Sequence, residues 1–195
     1  MDATLTIPKP DIATEAGPMT AEVLFQLSGE GRRYELVQGE LQEMSPAGPR
    51  HGRIAMRLGS LIEQHTRQHN LGIVYAAETG FKLQTNPDTV RAADVAFVAH
   101  NRIPSEGEPE AGYWAIAPDL VVEVISPYDL ASKVQSKVSD WLEAGCRLVW
   151  VVYPDTRTVT IYRSVTNVRG LTTEDILDGE DVLPGFSCPV GEIFR

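Results

Sequence analysis

Apolar positions along this chain follow two rhythms, and the places where one gives way to the other mark its elements. The densest run is Asp119–Val124 (DLVVEV), apolar on both faces as a strand inside a sheet should be, apart from Glu123. Ser126-Pro127 breaks it. A helical period follows, with Leu130, Val134, Val138 and Trp141 on one stripe, and Gly145 closes it. The next run, RLVWVVYP from Arg147, predicts the second parallel strand of a strand–helix–strand crossover. Upstream, Thr20 is placed to cap a short helix with Val23, Leu24 and Leu27 on its apolar face, ending at Gly29 and Gly31. RRYELVQGELQEM alternates around Gln38-Gly39 and predicts a β-hairpin. Residues 52–70 carry Ile54, Leu58, Leu61 and Ile62 at helical spacing, while 72–84 and 90–98 each read as one strand, separated by the turn-rich TNPDT. Residues 99–118 form a long polar loop with a late aromatic pair, Tyr113 and Trp114. A strand at TVTIYR, a loose loop over 164–173 and the C-terminal DVLPGFSCPVGEIF complete the chain.

These elements predict an α/β fold, with a central mixed sheet flanked by helices, an N-terminal hairpin and C-terminal strands. Residues 1–18, proline-bearing and without periodicity, are expected to be a flexible arm, and 19–195 a single domain. The length of 195 residues and an apolar content of 43% suit one ordinary core. No apolar run reaches membrane-spanning length and the first 20 residues lack a signal-peptide pattern, so a cytoplasmic location and no membrane partner are expected. Two distant cysteines, Cys146 and Cys188, have no metal-ligand spacing. The formal charge of −10 argues against a general nucleic-acid coat protein but leaves room for an enzyme with a local basic groove.

Charges in apolar places carry the chemistry. Glu123 interrupts a core strand, and at 100° per residue Lys137 falls about 20° from Leu130, inside the helix's apolar stripe. Each costs several kcal/mol, on the order of a buried unpaired ion, unless it is paired or metal-bound. A structural ion pair or a snorkelling lysine is the plain explanation; a functional site is the other. Asp94 lies between VRAA and VAFV on the face of Ala96 and Val98, and Glu78 on that of Ala76 and Val74, with small neighbours leaving room for an ion and its waters. Glu35 and Glu40 read most simply as the polar face of an edge hairpin. His51 heads the buried face of the 52–70 helix, and His65 continues it at the far end. Arg50, Arg53 and Arg57 form a row that is either solvated or a DNA-backbone track. Two carboxylates from adjacent strands can hold Mg²⁺ (or Mn²⁺), and a lysine beside them can orient water or stabilise phosphoryl oxygens, which fits phosphodiester hydrolysis.

The ordered series RYELVQGELQEMSP, His51, AAETGF, ADVAFV, DLVVEVISP, Lys137 with Trp141 and Gly145 at four-residue steps, LVWVVYP and LPGFSCPVGEIF resembles the Uma-type restriction endonuclease family of the PD-(D/E)xK nuclease superfamily, from about Met19 to Phe194. The resemblance implies a restriction-endonuclease-like αβββαβ core. It makes Asp94 and Glu123 metal-binding acids, Lys137 the catalytic lysine, Glu78 a further metal-site acid, and Glu35 and His51 additional site residues. In the wider superfamily the lysine follows the glutamate by two residues, where this chain has Ile125; in the family resembled it has moved to the following helix. Ala93 stands where a proline is expected, Trp141 where tyrosine is usual, and Lys133 is the backup lysine. The implied function is a Mg²⁺-dependent endonuclease on duplex DNA, acting as a homodimer if both strands are cut. The alternatives are a catalytically inactive nucleic-acid or protein binding module and an RNA or nucleotide phosphodiesterase.

Overall fold

A computed structural model describes residues 17–27, 33–77 and 79–195. Most of the arm expected over 1–18, the helix end expected at Gly29 and Gly31, and Glu78 lie outside the described residues. The elements are α1 (Ala21–Leu27), β1 (Tyr34–Val37), β2 (Glu40–Glu43), α2 (Pro49–His69), β3 (Gly72–Ala76), β4 (Gly80–Gln84), β5 (Thr89–Ala92) and β6 (Val95–Ala99). They continue as β7 (Leu120–Val124), α3 (Ala131–Glu143), β8 (Leu148–Tyr153), β9 (Thr158–Tyr162), β10 (Val168–Leu171), β11 (Ile176–Asp178), β12 (Ser187–Pro189) and α4 (Val190–Ile193).

Six strands form the main sheet in the order β10-β9-β8-β7-β6-β3, antiparallel throughout except for the parallel pair β7–β8 that α3 connects. Alternation along the strands sorts the core into two layers. Val95, Phe97, Val122 and Trp150 face α2 through Ile54, Leu58 and Ile62. Ala96, Val98, Val121 and Val149 face the other way, toward Val138 and Trp141 of α3. Glu123 shares that second face, so the sheet itself delivers its carboxylate to α3.

Four shorter strands make a second sheet, β2-β1-β5-β4. Each of the two long strands expected over 72–84 and 90–98 is therefore two: β3 and β6 belong to the main sheet, β4 and β5 to the small one. Periodicity of two reports which face a side chain takes but not which neighbour its backbone pairs with, so a change of sheet leaves no mark in the pattern. Ala93 and Asp94 form the second corner, pinned where the Asp94 N–H donates to the Val122 carbonyl at 3.2 Å.

Other expectations need smaller corrections. Leu130 is not in the helical stripe; it is the residue before α3 and is 65% exposed. Val23 likewise points outward, although Thr20 does cap α1 through the Val23 N–H. The hairpin turns at Gln38-Gly39 as expected, both at positive φ, but β1 is an interior strand between β2 and β5, so Glu35 is not on an edge. The loop over 164–173 contains β10. Among the described residues no helix is long and apolar enough to cross a membrane.

Candidate active site

The corner at Ala93-Asp94, the end of β7, the middle of β1 and the inner face of α3 meet at one cleft of 1210 Å³, lined by Glu35, His51, Asp94, Glu123 and Lys137. Lys137 is its hub. Its ammonium lies 2.9 Å from Glu123 Oε2 and 3.0 Å from Glu35 Oε1, and donates to the Ala92 carbonyl at 2.8 Å. An ammonium has three N–H groups, so these three acceptors use all of them. The lysine earns its place in an apolar helix face by complete pairing rather than by reaching water.

Each partner is held in turn. Glu123 Oε1 accepts from the Trp141 indole N–H at 2.8 Å, one helical turn beyond Lys137. Glu35 Oε1 also accepts from the Ala92 N–H at 3.0 Å, and its Oε2 from Arg91 Nη1 at 2.7 Å. Arg91 is 4% exposed and extends the chain of charges to Asp140 on α3, with Nε 2.8 Å from Oδ2. At the other lip, Asp94 Oδ2 accepts from the Val124 N–H at 2.7 Å and lies 3.1 Å from His51 Nε2. The alternation expected to set Asp94 beside Ala96 and Val98 stops at the corner, and the carboxylate reaches the head of α2 instead.

Burial is the largest influence on Glu123, and with the Asp94 and Glu35 charges it outweighs Lys137 and pushes the carboxyl up to about 7. Glu35 shows the opposite balance: burial is again largest, but Lys137 and Arg91 together hold it below the usual carboxylate range. For Lys137 burial opposes the charge, yet Glu123 and Glu35 prevail and raise its pKa. His51 is raised mainly by its hydrogen bond to Asp94.

Of the residues singled out from sequence, Asp94, Glu123, Lys137, Glu35 and His51 come together here, while Glu78 lies outside the described residues. Lys133 lines the same cleft but is exposed and is not in the ion network. The arginine row is not an open track. Arg50 pairs with Asp155 at 2.8 Å and Arg57 donates to the Glu192 carbonyl at 2.8 Å, leaving Arg53 exposed. Sequence reasoning passed over Arg91 and the donor role of Trp141. Arg91 carried the same signal as Glu123, a charge within an apolar strand (TVRA); the Trp141 contact had only its four-residue spacing from Lys137 to announce it.

The donors suit a hard cation held loosely. Among the described residues no three His, Cys, Asp or Glu side chains converge as a metal cage. Asp94 and Glu123 offer two carboxylates in one cleft, and Mg²⁺ characteristically takes one or two, keeping waters or substrate oxygens for the rest. The raised pKa of Glu123 is consistent with the fit: burial first, then the Asp94 and Glu35 charges, outweigh Lys137 and leave negative charge that a cation would offset.

The fold is that of a nuclease-like α/β protein. The chain is similar to the crystal structure of "a putative nuclease belonging to DUF820 from Anabaena variabilis ATCC 29413", with a TM-score of 0.73 over 83% of this chain and 89% of that one at 21% identity, a likeness of fold. No curated protein matches it. The chain belongs to the Uma2 family, described as "Putative restriction endonuclease", whose pattern matches residues 21–191. The family resemblance and the mixed-sheet fold read from the sequence are thus both borne out.

Proposed function

We propose that this protein is a divalent-metal-dependent nuclease that hydrolyses phosphodiester bonds of DNA in the cleft around Lys137. The observation that carries the reading is the meeting of Glu123, Lys137, Glu35 and the His51–Asp94 pair, drawn from four elements and the corner between β5 and β6, in one open cleft. A structural ion pair needs two residues and no access.

Asp94 and Glu123 would hold the ion, Mg²⁺ or Mn²⁺. When bound, it supplies Lewis acidity: electron withdrawal from the phosphodiester and a lowered pKa for an attacking water. The chain's own residues do the rest. The Val124 N–H and His51 fix one oxygen of Asp94, so its carboxylate is aimed without the ion's help. Trp141 does the same for Glu123. Lys137 places a positive charge where the phosphoryl oxygens gain negative charge, a stabilisation that is strongest in a water-poor site. Because its three protons are already engaged, it can hold a substrate oxygen only by exchanging one contact, and the Ala92 carbonyl is the uncharged one of the three.

That saturation also favours a second reading, a binding module whose ion network is self-sufficient. Cleavage assays with Mg²⁺ or Mn²⁺ on duplex DNA, single-stranded DNA and RNA separate the two. Cleavage lost in Glu123→Ala supports the nuclease; binding without cleavage selects the module; cleavage unchanged in Glu123→Ala removes the site.

A further inference from the structure

The turn that follows β7 holds an aromatic ring in water at the mouth of the cleft. Tyr128 is 94% exposed, yet it lines the same cleft as Glu123, five residues before it on the chain. The turn is closed rather than loose: the Asp129 N–H donates to the Ser126 carbonyl at 3.0 Å, and the Ser126 N–H to Asp129 Oδ2 at 2.7 Å. Met56, 70% exposed on α2, lines the cleft too, and Leu130, 65% exposed, lies two residues beyond the tyrosine. Tyr128 and Met56 stand in solvent on a cleft that carries the buried charges at its floor, and Leu130 is exposed just beyond them. No packing within the described residues accounts for them.

Among the described residues four cations line the cleft, Arg33, Arg91, Lys133 and Lys137, and of these Arg91 and Lys137 are held in the ion network. Arg50 and Arg57 are spent on Asp155 and on the C-terminal backbone. Arg53 and Lys133 are exposed, and their side chains make no ion pair with another described residue. A duplex gripped along its backbone needs a row of such charges, because each phosphate contact adds a similar increment of affinity. An exposed ring with the unpaired Lys133 on the same cleft suits another mode, in which a base stacks on the aromatic face and one or two phosphates are neutralised. A base inside a duplex has both faces covered by its neighbours. Only an unpaired base has a face to offer.

We propose that Tyr128 is a substrate-binding residue on which an unpaired nucleobase stacks, so that the strand entering the cleft is single-stranded where it meets the site. The proposal rests on the nuclease reading. It places the stacked base beside the phosphodiester that reaches Glu123, with Lys133 facing the backbone.

The test is fluorescence anisotropy with a dye-labelled single-stranded oligodeoxynucleotide, its RNA counterpart and the same DNA as a blunt duplex, in Ca²⁺ so that cleavage is held back. The wild type is expected to bind the single strand more tightly than the duplex. Tyr128→Ala is expected to weaken single-strand binding about 5- to 150-fold, the range that loss of one base–aromatic stack produces. Tyr128→Phe keeps the ring and is expected to bind as the wild type does, and duplex affinity is expected to stay unchanged in both variants. The side chain is exposed, so both variants should unfold at the wild-type temperature. Single-strand binding unaltered by Tyr128→Ala overturns the proposal, as does an equal loss on duplex, or a loss in Tyr128→Phe as large as in Tyr128→Ala. RNA bound as tightly as DNA, or more weakly, supports the stack either way and reports only whether the sugar is sensed. A wild type that binds and cuts duplex alone refutes the stacking and leaves the nuclease reading intact; one that neither binds nor cuts any of the three defeats both.

Discussion

Replacing Glu123 by glutamine tests the electrostatics of the site apart from its chemistry. Glutamine has nearly the shape of a protonated glutamic acid and cannot ionise, so the variant reports what the wild type does when Glu123 keeps its proton. The folded carboxyl sits at about 7 against an ordinary 4.5, with burial the first cause and Lys137 only partly offsetting it. A folded pKa above the unfolded one means that the native state binds the proton more tightly. The associated stability is present below 4.5 and is lost as pH rises through 7. The full difference is up to about 3 kcal/mol. In the absence of divalent cations the two chains are expected to be of similar stability at pH 4.5. By about pH 8 the wild type should trail the variant by an amount approaching that value. Urea unfolding across this range, followed by tryptophan fluorescence, measures it. Adding Mg²⁺ at the higher pH should restore the wild type and leave Glu123→Gln unmoved, since a cation binding the native carboxylates stabilises only the chain that has both. A stability difference that does not change with pH would refute the claim that Lys137 only partly offsets the burial of Glu123. A pH-dependent difference with no response to Mg²⁺ would keep the electrostatics and remove the metal.

Two further substitutions probe the supports. Trp141→Phe preserves the buried ring but leaves Glu123 Oε1 without its donor, so a loss of about 1–3 kcal/mol in urea unfolding is expected, along with weaker cleavage; unchanged stability would mean that the indole N–H is not the anchor. Arg91→Met strands Glu35 and Asp140 together, and about 3–5 kcal/mol should be lost; a thermal midpoint close to wild type would show that Lys137 and the Ala92 N–H suffice for Glu35.

What the residues announce by themselves is the set of charges that do not belong. Glu123 between two valines and Lys137 within an apolar helix face are legible because burying an ion is expensive wherever the strand or helix ends up. Asp94 is legible for the same reason, and Arg91 could have been. The β7–α3–β8 crossover is equally local, since two largely apolar strands around an amphipathic helix leave few other arrangements. Glu35 was not legible from its pattern. In a four-residue strand an acid alternating with apolar neighbours looks the same on an edge as in the interior, and only the pairing of β1 with β5 buries it. The corner at Ala93-Asp94 belongs to the same class: the sequence carries the alternation, while the choice of sheet comes from backbone partners far along the chain. The sharpest division concerns Lys137 itself. Its place on the inner face follows from spacing alone, but the three acceptors that saturate it come from β1, β5 and β7, and no local rule brings those strands to one point.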